Sequence, residues 1–298
     1  MSVLIQTAAN ELGELAAEAI GELLEKTIGT QNISTYAEQG VPLEWDLLAE
    51  GGWDLLGVVD EGEGASLRDL VEVAQVWGSR LVPLPYLETV IAKRHSSAAQ
   101  EWEGPVTIAL PSATLAADSG YLPFGTMPGI GVATGLGSGV DEIVAAPSGT
   151  AHRLDLAARG IEAPMRTALS SEVAREVAVI SAASSVGAAR RLLDLGVEFA
   201  KEREQFGRPI GSFQAVKHHL ADAMIAVEEA DTTVIWGSLM PDEAMRGTEF
   251  AISRCIDAAE IVLQVHGGLG FTWELGLHFY LRHMLATREV VQGLRAGL

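Results

Sequence analysis

The chain has 298 residues, 48 % of them hydrophobic, and carries 20 basic against 40 acidic side chains for a formal net charge of −20 at pH 7. That length supports one large domain or two to three small ones, and that charge opposes nonspecific binding to nucleic acid or to anionic lipid surfaces. No run of about 18 uncharged apolar residues offers a membrane span, no basic segment precedes the early Glu11, Glu14 and Glu18, and the single Cys255 excludes a disulfide framework or a Cys-based zinc site. A cytoplasmic protein is expected.

In Asn10–Lys26, apolar Leu12, Leu15, Ala16, Ala19, Ile20 and Leu23 recur at helical spacing with glutamates mostly opposite, predicting an amphipathic helix. A second helical stretch, 44–57, is stopped by glycines, and a third, 65–80, opens on Ser66 as N-cap and ends near Gly78. Pro83 and Pro85 then place a turn before the next helix. From about 104 to 165 the texture changes to short apolar runs, VTIAL, GIGVATG and EIVAAP, punctuated by Gly and Pro, which predict a small sheet. Helical periodicity returns near 168, as one long helix or two broken ones, and again in Gln214–Ala230 and Thr248–Val265, lengths suited to a bundle. Charge is divided unevenly: residues 1–150 hold 5 basic and 21 acidic side chains, residues 151–298 hold 15 and 19. A phosphate-bearing ligand would therefore dock on the second half.

Two segments carry candidate chemistry. Lys201–Asp222 reads KEREQFGRPIGSFQAVKHHLAD: a helix ending near Arg203, a turn through Gly207, Pro209 and Gly211, and a new helix from about Ser212. Such a turn combines backbone N–H groups, a helix N-terminus and guanidinium groups, a setting suited to phosphate or pyrophosphate. The bland alternative is that Arg203 and Arg208 form surface ion pairs with Glu202 and Glu204, which are worth little. Gln264–Arg282 reads QVHGGLGFTWELGLHFYLR, with Gly267, Gly268 and Gly270 forming a C-cap and tight turn whose backbone a flat ligand can approach. His266 has no second ligand at metal spacing and reads as structural, and the adjacent His218 and His219 face different directions.

Together, EREQFGRPIGSFQAVKHHLAD and QVHGGLGFTWE, in this order and at this separation, resemble the C-terminal domain of acyl-CoA dehydrogenases. EWDLLAEGGWDLLGVV and VWGSRLVPLPYLETVIA resemble that family's N-terminal helical domain. The resemblance implies a mainly α fold with a small β middle domain: an N-terminal helical domain over 1–103, a reduced middle β-domain over 104–166, and a C-terminal four-helix bundle over 167–298. It implies FAD as cofactor and α,β-dehydrogenation of an acyl-CoA thioester, in which a carboxylate takes the α proton while the β hydrogen leaves as hydride, with a flavoprotein as electron acceptor. By position, it implies that Arg203, Gln205 and Phe206 reach the FAD of a neighbouring subunit. Gln264, Gly267 and Gly268 would do so at the pyrophosphate and adenosine, with Gln214 a further candidate.

Three departures qualify this. The chain is well short of ordinary members, the deficit falls in the middle domain, and 105–165 lacks the Trp-, Thr- and Ser-containing flavin motifs of the family. At one of the family's two positions for the base stands Gln292, before Gly293, and an amide cannot accept a proton. Counting back from Gly187 puts the other position at about Val177, beside Glu176, and one residue turns a helical side chain by about 100°. Glu176 is thus a candidate base, its bland reading a solvated carboxylate beside Arg175; Glu289 and Glu274 are further acids in the region, and the resemblance puts Glu274 in a structural turn. Finally, GGLGFTWE with LHFYLRH resembles a branch of bacterial steroid and cholesterol catabolism in which two acyl-CoA dehydrogenase-like chains form an α2β2 heterotetramer. The expectation is a flavin-completing, non-catalytic subunit acting with a second acyl-CoA dehydrogenase-like chain on a bulky acyl-CoA. The rivals are a self-sufficient homo-oligomer with Glu176 as base, and a scaffold that has lost its cofactor.

Overall fold

The computed structural model describes residues 9–29, 31–59, 64–111, 119–139, 141–146, 151–152, 160–164 and 168–297. Helix α1 (Glu11–Thr27) buries Ala16, Ile20 and Leu24 and turns its glutamates outward, as the periodicity predicts, but Leu12 and Leu15, expected on the same apolar face, are exposed, because the buried stripe is narrower than the apolar one. Two short helices follow, α2 (Ile33–Gln39) and α3 (Trp45–Glu50), the latter stopping at Gly51. Helix α4 (Leu67–Arg80) starts on a capping box: Ser66 Oγ accepts from the Asp69 N–H at 3.2 Å, and the Asp69 carboxylate accepts from the Ser66 N–H at 2.9 Å. Asp69 also accepts from the Asn10 N–H at 2.7 Å, so one carboxylate joins the starts of α1 and α4. After the prolines come α5 (Tyr86–His95) and α6 (Ser97–Glu101). Helices α2 and α6 have no counterpart in the sequence reading, because one or two turns are too short to establish a period.

The expected small sheet is two. Strands β1 (Val106–Ile108), β4 (Gly131–Thr134) and β5 (Glu142–Ala145) form one, with β1 parallel to β4 in the register Val106 to Gly131, and β4 antiparallel to β5. Strands β2 (Leu110–Pro111), β3 (Ser119–Leu122), β6 (Ala151–His152) and β7 (Gly160–Pro164) form the other, in the order β2-β3-β7-β6 and antiparallel throughout.

Helix α7 (Ser171–Glu202) is one continuous helix of 32 residues, capped by Ser170. It packs with α8 (Gln214–Leu239), α9 (Ala244–His266) and α10 (His278–Ala296) as the C-terminal bundle. A tight two-strand turn, β8 (Glu204–Gln205) and β9 (Arg208–Pro209), joins α7 to α8. Helix α4 lies directly on α7, and two glycines permit it. A Cβ on Gly78 would stand 2.0 Å from the Ser184 carbonyl oxygen, and one on Gly187 would stand 1.8 Å from that of Gln75. One apolar core accordingly runs from Ile20 and Trp77 through Ile91 and Val106 to Val186 and Met284, binding N-terminal helices, β1 and bundle together.

Candidate functional site

The two sequence motifs meet at one end of the bundle. Phe199, in the last turn of α7, stacks on His266, the last residue of α9, with ring centroids 4.3 Å apart. His266 is buried, and its Nδ1 lies 2.9 Å from the Val262 carbonyl oxygen. Burial outweighs that bond and lowers its pKa, so the ring is a neutral packing element, as its sequence context implies. The Arg203 N–H donates to the Phe199 carbonyl at 2.8 Å, one turn beyond the stack, and Gly267 follows His266 directly. The Phe199–His266 contact thus brings the Arg203 turn beside the Gly267–Gly268 turn. Sequence spacing alone carried no sign of that link.

All seven candidate ligand residues, Arg203, Gln205, Phe206, Gln214, Gln264, Gly267 and Gly268, are exposed. Phe206 is 93 % exposed and sits at φ 54°, a left-handed conformation uncommon for a residue of that size. Arg203 and Arg208 do not pair with Glu202 or Glu204 among the described residues; Arg208 lies over the Phe213 ring at 4.1 Å instead. At Gly267 (φ 61°) and Gly268 an added Cβ would meet nothing within 4 Å, so their backbone faces open space. Further apolar side chains lie bare nearby in sequence, among them Leu269, Phe271 and Trp273.

The base positions lie elsewhere. A cavity of about 130 Å³ opens between α4, α5, β1, β3, α7 and α10, and Val177 lines it. Glu176 does not. It is buried, 2.8 Å from His95 Nε2 and 3.1 Å from Arg94 Nε, which replaces the expectation of a solvated carboxylate beside Arg175. Burial alone would raise its pKa, but the His95 hydrogen bond and the Arg94 charge reverse that and hold it below the usual carboxylate value. Gln292 is exposed on α10.

The acyl-CoA dehydrogenase C-terminal domain matches residues 158–290. Acyl-CoA dehydrogenase IpdE2 of Mycobacterium tuberculosis (strain ATCC 25618 / H37Rv) is 33 % identical over 267 residues, covering 85 % of this chain and 84 % of that protein. The chain belongs to the acyl-CoA dehydrogenase family. Its members are FAD-dependent oxidoreductases that act on CH–CH bonds. Two solved structures share this acyl-CoA dehydrogenase fold over nearly the whole chain. The ChsE4–ChsE5 complex from Mycobacterium tuberculosis has a TM-score of 0.76 at 21 % identity, over 98 % of this chain and 96 % of that one. A variant of the Tcur3481–Tcur3483 steroid ACAD has a TM-score of 0.69 at 21 % identity, over 96 % and 94 %. No helix among the described residues is long and apolar enough to cross a membrane, and those residues hold no cluster of three or more metal-ligating side chains.

The residues at the bundle end fit FAD as one wall of a site. A guanidinium, an aromatic ring and open glycine backbone are the groups that a pyrophosphate and a flat heterocycle engage. Every one of them is exposed.

Proposed function

We propose that this acyl-CoA dehydrogenase chain completes the FAD site of a second, acyl-CoA dehydrogenase-like subunit in an α2β2 assembly, and that the partner supplies the catalytic base. The observation that carries this is the outward exposure of all seven candidate contacts at a single bundle end. The two-chain names of the ChsE4–ChsE5 and Tcur3481–Tcur3483 proteins support a heteromeric reading, and the second supports a bulky, steroid-derived acyl-CoA as substrate. In the assembly, Arg203 and the Gly267–Gly268 backbone hold pyrophosphate, Gln264 and Gln214 orient the dinucleotide, and Phe206, with Gln205 beside it, excludes water. FAD held there would supply the hydride-accepting chemistry for the dehydrogenation, with a flavoprotein as electron acceptor. Neither Gln292 nor Val177 can take a proton, and Glu176 is held by two cationic or hydrogen-bonding side chains outside the cavity. The three domains, 1–103, 104–166 and 167–298, divide the work accordingly: the bundle bears the flavin contacts and the interface.

The test is flavin content by visible absorption, for this chain purified alone and co-purified with a neighbouring acyl-CoA dehydrogenase-like chain. Flavin should accompany only the complex, and Arg203→Ala should weaken its retention about tenfold or more, the worth of one charge-assisted contact. Stoichiometric flavin on this chain alone, or full flavin content in the Arg203→Ala complex, would overturn the proposal.

A further inference from the structure

The cavity between α4, α5, α7 and α10 contains a group that the flavin reading does not use. Its volume, about 130 Å³, is close to that of an engineered apolar cavity of ~150 Å³ that takes up benzene. Its wall is mainly apolar, with Leu81, Leu87, Ile91, Ile108, Val177 and Ile180 prominent. Three titratable side chains interrupt it: Glu88 from α5, His283 from α10 and Tyr121 from β3. His283 Nε2 lies 3.1 Å from Ser184 Oγ on α7.

Glu88 differs from every other enclosed acid. The three buried acids among the described residues all have partners: Asp54 bonds Lys93 Nζ at 2.6 Å, Asp69 takes the Ser66 and Asn10 N–H groups, and Glu176 takes Arg94 and His95. Glu88 has no ion-pair partner among the described residues. It keeps some accessible surface, as a residue lining a cavity must, yet it lies deep enough for burial to raise its carboxyl to about 8, opposed only by its own backbone N–H. An ionised carboxylate without a partner in apolar surroundings is costly, so the neutral acid persists at pH 7. A neutral acid is a hydrogen-bond donor, and in an apolar site a lone donor discriminates strongly for a ligand that offers an acceptor. The same use of a neutral carboxylic acid is known in ketosteroid isomerase.

We infer that this cavity binds a ring-sized apolar group bearing a carbonyl oxygen, and that the Glu88 carboxylic acid donates a hydrogen bond to that oxygen. This site lies within one chain and stands whether or not the flavin is shared.

The experiment compares cyclohexanone with methylenecyclohexane, which replaces C=O by C=CH2 at nearly the same shape, by NMR titration of the full chain. At pH 6.5 the ketone should bind about 5-fold more tightly, the worth of one neutral hydrogen bond, and its carbonyl ¹³C signal should move downfield. At pH 9.5 the preference should vanish, because a carboxylate cannot donate. Glu88→Gln retains a donor and should keep a preference that no longer depends on pH. Glu88→Leu should bind methylenecyclohexane and show no preference at either pH. Binding of neither probe, equal affinities in the unaltered chain, a preference that survives in Glu88→Leu, or a pH effect that persists in Glu88→Gln and so belongs to His283 or Tyr121, would each overturn the inference. Flavin content does not enter these readouts, so failure here is distinct from failure of the shared-flavin reading.

Discussion

Glu176→Gln separates a structural carboxylate from a catalytic one. Glu176 on α7 accepts from Arg94 Nε at 3.1 Å and lies 2.8 Å from His95 Nε2, with the Glu176 and Arg94 side chains 10 % and 17 % exposed, so solvent screens the pair little. Breaking a buried pair outright costs about 3–5 kcal/mol. Glutamine keeps the shape and one acceptor oxygen, and Arg94 retains its Nη1 bonds to the Gly57 and Ala65 carbonyls at 2.9 and 2.8 Å, so a cost of about 2 kcal/mol is expected, a fall in Tm of roughly 4–8 °C. The pH dependence has a definite sign. The carboxyl is depressed in the folded state, so its contribution is fully present above the unfolded value of 4.5 and disappears as pH falls through the lower folded value. The stability gap between unaltered chain and variant should therefore be widest at neutral pH and close in acid. Denaturant unfolding across pH measures the gap, and turnover per folded, flavin-loaded complex should be unchanged. Loss of turnover at unaltered stability would refute the structural assignment and restore Glu176 as the base.

Gly187→Ala should destabilise by about 2 kcal/mol, because a backbone overlap on α4 of the order of 3 kcal/mol outweighs the helix-propensity gain of about 1 kcal/mol. Gly21→Ala on α1, whose Cβ would meet only Val76 at 3.7 Å, should gain about 0.5–1 kcal/mol; equal thermal shifts for the two would contradict the close α4–α7 crossing. Ser66→Ala removes half of the capping box and should cost about 1 kcal/mol in denaturant unfolding. Cys255 is buried, and burial together with the nearby Asp231 charge pushes its thiol pKa up; a thiol reagent should label it only at the rate of unfolding.

Local signals carried much of the architecture. The glutamate-faced stripe of α1, the Ser66 cap, the proline turn before α5 and the long apolar periods of α7 to α9 each express a short-range rule that operates within one or two turns of chain. The two turns proposed to contact flavin were legible for a similar reason: glycine, arginine and aromatic residues in a fixed local order encode turns and donors directly. The contacts that give those motifs their arrangement join residues far apart in sequence. Phe199 and His266 are 67 positions apart, a separation of 266 − 199, and nothing local to either residue predicts the stack. The same holds for Glu176. Its neighbour Arg175 suggested a solvated pair, whereas its real partners come from α5, 81 positions away for His95.

The amino-acid sequence by itself determined the helix–sheet–helix order, the family and the absence of a carboxylate at Gln292 and Val177, because these depend on residue identity and short spacing. Only the tertiary structure decided that the Arg203 and Gly267–Gly268 turns share one exposed end, that Glu176 is ion-paired away from the cavity, and that Glu88 lines it without an ionic partner among the described residues. Burial and charge pairing are sums over neighbours from every packed element, and those neighbours are brought together only when α4, α5, α7 and α10 close on one another.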